Sequence, residues 1–106
     1  MKLVIKKDGD ISGTSLIGYI NIEYTKLAKL LGKPEKHGSH KVDAIWVTTI
    51  NDKTITVYNY CDGKNYLGSR GMPVSKITNW HIGGRENSIP EAKFLAKELG
   101  VELIEG

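Results

Sequence analysis

Two β-branched runs, KVDAIWVTTI (Lys41 to Ile50) and TITVYNY (Thr54 to Tyr60), stand on either side of Asn51-Asp52-Lys53, and no other feature restricts the fold as much. Val, Ile, Thr, Tyr and Trp fit a pleated surface, and Asn-Asp supplies turn chemistry, so the pair predicts a β-hairpin. On the first strand Val42, Ala44, Trp46 and Thr48 share one face, while Asp43, Ile45, Val47 and Thr49 share the other. Both sets are largely apolar, which places this strand inside a sheet. On the second strand Ile55 and Val57 oppose Thr54, Thr56, Tyr58 and Tyr60. One face turns inward and the other presents hydroxyls and phenols.

The rest of the chain supplies further elements around this hairpin. KLVIKK (Lys2 to Lys7) alternates as a short strand does and runs into a turn at Asp8-Gly9, and LIGYINI (Leu16 to Ile22) predicts a second strand. Tyr24, Leu27, Ala28 and Leu31 fall at helical spacing, with Gly32 as the cap and Pro34 as the stop. The polar PEKHGSHK that follows reads as an exposed loop carrying two of the three histidines. From Cys61 to Ser75, glycines at 63, 68 and 71 and little periodicity predict a long loop with a turn at Asp62-Gly63. Loops longer than roughly 12 to 15 residues are uncommon in compact domains and are often functional. KITNWHI predicts a strand, Gly83-Gly84 a change of direction, and Ser88 with Glu91 a capping box. Ala92, Leu95, Ala96 and Leu99 form the apolar stripe of a second helix closed by Gly100, and VELIE a last short strand. This order argues for an α+β fold, a mainly antiparallel twisted sheet with two helices packed on one face. There is no internal repeat.

At 106 residues, 40% of them hydrophobic, the chain suffices for one domain spanning 1–106 with a modest core. A domain this small gains core by associating, which makes a homodimer an expected form. Its apolar runs are far shorter than the roughly 18 to 20 residues of a membrane span, and its charged start lacks a signal-peptide core. A single cysteine, Cys61, asks for no oxidising compartment, so the expected setting is the cytoplasm. The net charge of +3 favours anionic partners only mildly. It falls short of the dense basic stripe of a duplex binder, so extended nucleic acid is not an expected partner.

Candidate chemistry is sparse. His37, His40, His81 and Cys61 bear zinc-type donors, but their spacing matches no metal motif, and no cofactor is expected. Cys61 with a histidine lacks an orienting third group or an oxyanion donor, and the carboxylates are scattered, so the chain does not read as an enzyme. Gly83-Gly84 stands out more. Two successive amides at positive φ would form an anion-binding nest, flanked by His81 and Arg85 and followed by a helix start at Ser88. A plain turn between strand and helix is the competing reading, and the favoured one. Trp46 and Trp80 read as core residues. Tyr58, Tyr60, Lys64, Tyr66 and Arg70, together with His81, Gly83, Gly84 and Arg85, make up the expected ligand-binding surface. Aromatic faces can stack on bases or pack on proteins, and the cations can neutralise phosphates or acidic side chains.

LAKLLGKP, the hairpin ending in YNY, DGKNYLG and the closing NWHIGG together resemble a group of small, mostly uncharacterised proteins carried by phages and prophages. The resemblance spans roughly residues 18 to 84, and WHIGG is its most specific part. It implies no reaction. What it implies is stoichiometric action in the host cell cytoplasm: blocking a host defence protein or sequestering a nucleotide signal. A structural or oligomeric assembly module is the alternative, with a small nucleotide-processing enzyme using His81 as acid or base further behind.

Overall fold

Asn51 and Asp52 adopt φ of 53° and 63°, so the central hairpin closes on a two-residue turn of the mirror-image type that matches strand twist. Lys53, expected in the turn, is instead the first residue of the returning strand and pairs with Ile50. The computed structural model describes residues 2–6, 10–36, 41–85 and 87–106. The expected turn at Asp8-Gly9, and His37 and His40, lie outside these residues.

Six strands form one antiparallel sheet: β1 (Leu3–Ile5), β2 (Ser15–Asn21), β3 (Ile45–Ile50), β4 (Lys53–Tyr58), β5 (Asn79–Gly84) and β6 (Ile104–Glu105), in the order β1-β3-β4-β5-β2-β6. Two helices, α1 (Tyr24–Leu31) and α3 (Ile89–Glu98), bury Leu27, Leu31, Ala92, Leu95 and Ala96 in one core cluster with the inward residues of the sheet. The α+β architecture is as expected from the sequence. A further short helix, α2 (Lys64–Leu67), and 3-10 turns at Gly68–Arg70 and Val74–Lys76 occupy the stretch expected to be a plain loop.

Register explains the two faces. Trp46 pairs with Val57, Val57 with Ile82, and Ile20 with Trp80, so these side chains share the helix-covered face. Trp46 and Trp80 are both fully buried and meet edge to face, with ring centroids 5.3 Å apart. Each indole N–H is satisfied: Trp46 Nε1 donates to the Gly32 carbonyl (2.8 Å) and Trp80 Nε1 to that of Ile22 (3.1 Å). Gly32, at φ 83°, therefore both ends α1 and holds a core tryptophan.

Three local expectations are corrected. Gly83 and Gly84 do not turn the chain but extend β5, paired to Thr56 and Ile55 on one side and to Leu16 and Ser15 on the other. Neither is among the glycines at positive φ. They are required by close packing: a Cβ at 83 would lie 2.4 Å from Thr56 Oγ1, and one at 84 would lie 2.8 Å from Ile17 Cδ1. The Ser88/Glu91 capping box does not form. Ser88 Oγ donates to the Arg85 carbonyl, and the buried Glu91 instead meets Lys53 Nζ at 3.3 Å, while Pro90 occupies the first turn of α3. Finally, β3 starts at Ile45, because the amides of Asp43 and Ala44 are taken by the Asn59 side chain (2.8 and 3.0 Å) rather than by a neighbouring strand.

Candidate functional site

The face of the sheet turned away from α1 and α3 carries Ile45, Val47, Thr56, Tyr58, His81 and Gly83, in register across β3, β4 and β5. A cleft of about 210 Å³ opens on it. Its floor is Thr56 and Gly83, one wall is Tyr58 and Tyr60, another is Ile11, Val42 and Ile45, and Thr14 and Ser15 close the end. The alternation of β4 explains the aromatic wall, because Thr56 and Tyr58 point opposite to the buried Ile55 and Val57. Gly83 adds no side chain of its own, and the Thr56 hydroxyl and Tyr58 ring lie close over it.

His81 stands behind Tyr58 rather than lining the cleft. Tyr58 stacks on it (centroids 5.4 Å, planes 29° apart), Tyr19 meets it edge-on at 5.0 Å, and Tyr60 lies at 5.7 Å. Its Nδ1 is buried and has no hydrogen-bond partner. Burial holds the imidazole below the ordinary histidine value, and the Asp62 carboxylate opposes that shift. At neutral pH it is therefore an uncharged ring within an aromatic cluster. Burial also raises the Tyr58 phenol, with Tyr19 and Tyr60 adding to the shift, so Tyr58 stays protonated and able to donate.

The end of the cleft is a turn fixed by polar contacts. Asp10 Oδ1 accepts the Ser12 amide (2.9 Å), and Thr14 Oγ1 donates to the Ile11 carbonyl (2.6 Å). Arg85, just past β5, donates its Nε to the Ser12 carbonyl (3.0 Å). The Ser12 hydroxyl and amide, and then Arg85, hold the exposed Asp10 carboxyl below its usual range.

The expected surface is thus brought together only in part. Tyr58, Tyr60, His81 and Gly83 converge on the open face. Gly84 faces the other side, among Ile17, Ile55 and Ser88. Arg85 braces the turn. Because Gly83 and Gly84 are extended and have strands on both sides, their amides do not form the anion nest anticipated for them. Lys64, Tyr66 and Arg70 lie exposed on α2 and the turn after it. That excursion is tied back by a bridge between Gly63 and Met72 and by Asn65, whose amide donates to Asp43 Oδ2 (3.2 Å).

One residue read from the sequence only as part of the surface at the end of the hairpin, Asn59, is instead an organising residue. Asn59 is fully buried; its Oδ1 accepts the amides of Asp43 and Ala44, and its Nδ2 donates to Asp43 Oδ1 (3.0 Å) and Asp62 Oδ1 (3.1 Å). It fixes the segment carrying Val42 against the end of β4, and so sets the width of the cleft. A signal for it exists: Asn59 follows Ile55 and Val57 at period two, a lone amide continuing an apolar face. Cys61 is half-buried with φ at 63°, and among the described residues no three His, Cys, Asp or Glu groups converge as a metal set would. No helix among the described residues is long and apolar enough to cross a membrane.

Comparison with protein-family models, with curated proteins and with solved structures found no match to this chain. The fold and the site therefore define the class by themselves: a small α+β protein with one side of its sheet covered by helices and an aromatic cleft on the other.

Proposed function

We propose that the chain is a stoichiometric binding protein of the phage counter-defence kind, working through the open face of its sheet to occupy a host defence protein or hold a nucleotide signal. The observation that carries this reading is the cleft between Tyr58, Tyr60 and the Ile11–Val42–Ile45 wall. A concave, mostly apolar site with a few convergent hydroxyls is what small-ligand and side-chain recognition requires. The non-enzymatic part is supported by the chemistry of the lining. Among the described residues lining the cleft there is no carboxylate, imidazole, thiol or amine to act as acid, base or nucleophile. His81, the residue first in line for such a role, sits behind Tyr58 with three tyrosine rings against it.

The test is retention by the wild-type chain against a Tyr60→Ala variant, which removes one wall of the cleft from an exposed position. Host lysate is passed over both immobilised proteins, and the retained proteins and nucleotides are identified. Material held one-to-one by the wild type and lost from the variant, with the melting temperature unchanged, supports the proposal. Equal retention by both puts the working surface elsewhere, and recovery of chemically altered nucleotide makes the chain an enzyme.

A further inference from the structure

We infer that the cleft admits one uncharged, planar heteroaromatic ring bearing an N–H donor, of the amino-substituted nucleobase class, and leaves any phosphate of that ligand outside. This deepens the proposed binding role and rests on it.

Charge is the first ground. None of the described residues lining the cleft is charged, and the aromatic and aliphatic walls solvate an ion poorly. A phosphate placed inside would be buried without a partner, which is among the most costly arrangements a site can hold. The cations described beside it lie outside the lining. Arg85 donates to Ser12, and Lys41 stands over the Tyr60 ring, 5.8 Å from its centroid, at the mouth rather than in the lining.

Size and shape come next. At about 210 Å³ the cleft is smaller than the roughly 300 to 1,000 Å³ of pockets that enclose a drug-sized molecule, so it holds one ring system and not a whole nucleotide. The Tyr58 and Tyr60 rings line one side and offer faces for stacking. Such a slot fits a plane better than a puckered sugar.

The end wall supplies the specificity. The Thr14 hydroxyl gives its only proton to the Ile11 carbonyl, so toward the cleft its oxygen presents lone pairs and can only accept. A ring that offers an amino or imino N–H on that edge gains a hydrogen bond there, and one that offers a bare ring nitrogen faces a lone pair with another. The Thr56 and Tyr58 hydroxyls, each able to donate or accept, complete the polar lining.

Equilibrium dialysis of the full chain tests this with adenosine, cytidine, purine riboside, adenosine 5′-phosphate and ribose 5-phosphate. Adenosine or cytidine is expected to bind. Purine riboside, which lacks the amino group, should bind about tenfold more weakly than adenosine, the equivalent of one hydrogen bond. Adenosine 5′-phosphate should match adenosine within about threefold, and its affinity should be nearly flat from low to high salt, since buried phosphate contacts would make it fall. Thr14→Val should erase the preference for adenosine over purine riboside while keeping the shared part of the affinity. Tyr60→Ala, at an exposed position, should weaken every ring ligand together. The inference is overturned if no nucleoside binds up to its solubility limit, if ribose 5-phosphate binds as well as adenosine 5′-phosphate, or if Thr14→Val folds and keeps the preference. Should no ring bind while Tyr60→Ala still abolishes retention of a host protein, only the ring inference falls. Should a nucleoside bind and be turned over, the ring inference stands and the non-enzymatic reading falls.

Discussion

The two faces of the sheet are built from alternate residues of the same strands, yet they do different work. Trp46, Ile55, Val57, Trp80 and Ile82 meet α1 and α3 in a core from which water is excluded, with both indole N–H groups paired. One residue along in each case, Ile45, Thr56, Tyr58, His81 and Gly83 lie on the other side, where all but His81 line a cleft of rings and hydroxyls. The larger core lies on one side, and on the other a small cluster of Val42, Ile45 and Val47 with Ile11 and Tyr58 borders the cleft, the two sides separated by a single step of the backbone. A substitution's effect should therefore depend on which parity it falls on more than on its residue type.

The sharpest test sets an aromatic from each face side by side. Trp80→Ala removes a fully buried side chain and leaves the Ile22 carbonyl without its partner, and is expected to lose about 3–5 kcal/mol in urea unfolding, enough to unfold a marginal domain. Tyr60→Ala, 44% exposed, should stay within about 0.5 kcal/mol of wild type. Similar losses for the two would abolish the division. Asn59→Ala comes next. It lies at the end of the core parity but serves the cleft side, and its loss orphans the amides of Asp43 and Ala44 for about 1–3 kcal/mol. Amide exchange should quicken at residues 41–44 and leave β5 protected; uniform loss of protection would make Asn59 an ordinary core residue.

A pH titration separates the faces more gently. In the unfolded chain an imidazole gains its proton near pH ~6.5, whereas in the folded protein burial delays protonation of His81 to lower pH. Between those two values the unfolded state binds more protons, so the His81 contribution is fully present above the unfolded value and declines as pH falls through the window. The melting temperature of the wild type should drop more between pH 7.5 and 5 than that of His81→Gln, by a modest amount because the ring is only partly buried. Identical pH profiles would mean the tyrosines do not desolvate it. The smallest effect is expected of Arg85→Ala, which releases the Ser12 carbonyl at the surface for less than about 1 kcal/mol. Its mark should be on ligand off-rate, as the turn bearing Ile11 and Thr14 loosens; unchanged binding would show that the turn holds itself.

Much of the fold was readable from period and turn chemistry, because the hairpin, α1 and the stripe of α3 each declare themselves within a dozen residues. What misled was glycine. Gly83-Gly84 looked like a turn because glycine permits one, but here its value is the missing side chain beside Thr56 Oγ1 and Ile17 Cδ1, contacts made with residues 27 and 67 positions away. The same holds at Gly63, where a Cβ would fall 2.0 Å from Asp43 Oδ1. Close approach between distant segments leaves no local pattern. The candidate site divided on the same principle. Tyr58 and His81 sit on strands whose parity could be followed, whereas Lys64, Tyr66 and Arg70 sit on an excursion with no period to follow. Ile11, Thr14 and Val42, which complete the cleft, carry no chemical flag and become visible only when β2 is seen paired with β5.

That pairing also sets the timetable of folding. The β3–β4 hairpin closes across two residues and can form as soon as it leaves the ribosome, and β5 can add to it. β2, by contrast, has been synthesised long before, yet Ile20 has no partner until Trp80 arrives, about sixty residues later. Contacts between segments this far apart are slow to close, so pairing of β2 with β5 is expected to be slower than closure of the hairpin. Seating β2 between β5 and β6 therefore completes the core on one side and brings Thr14 and Ser15 to the end of the cleft on the other.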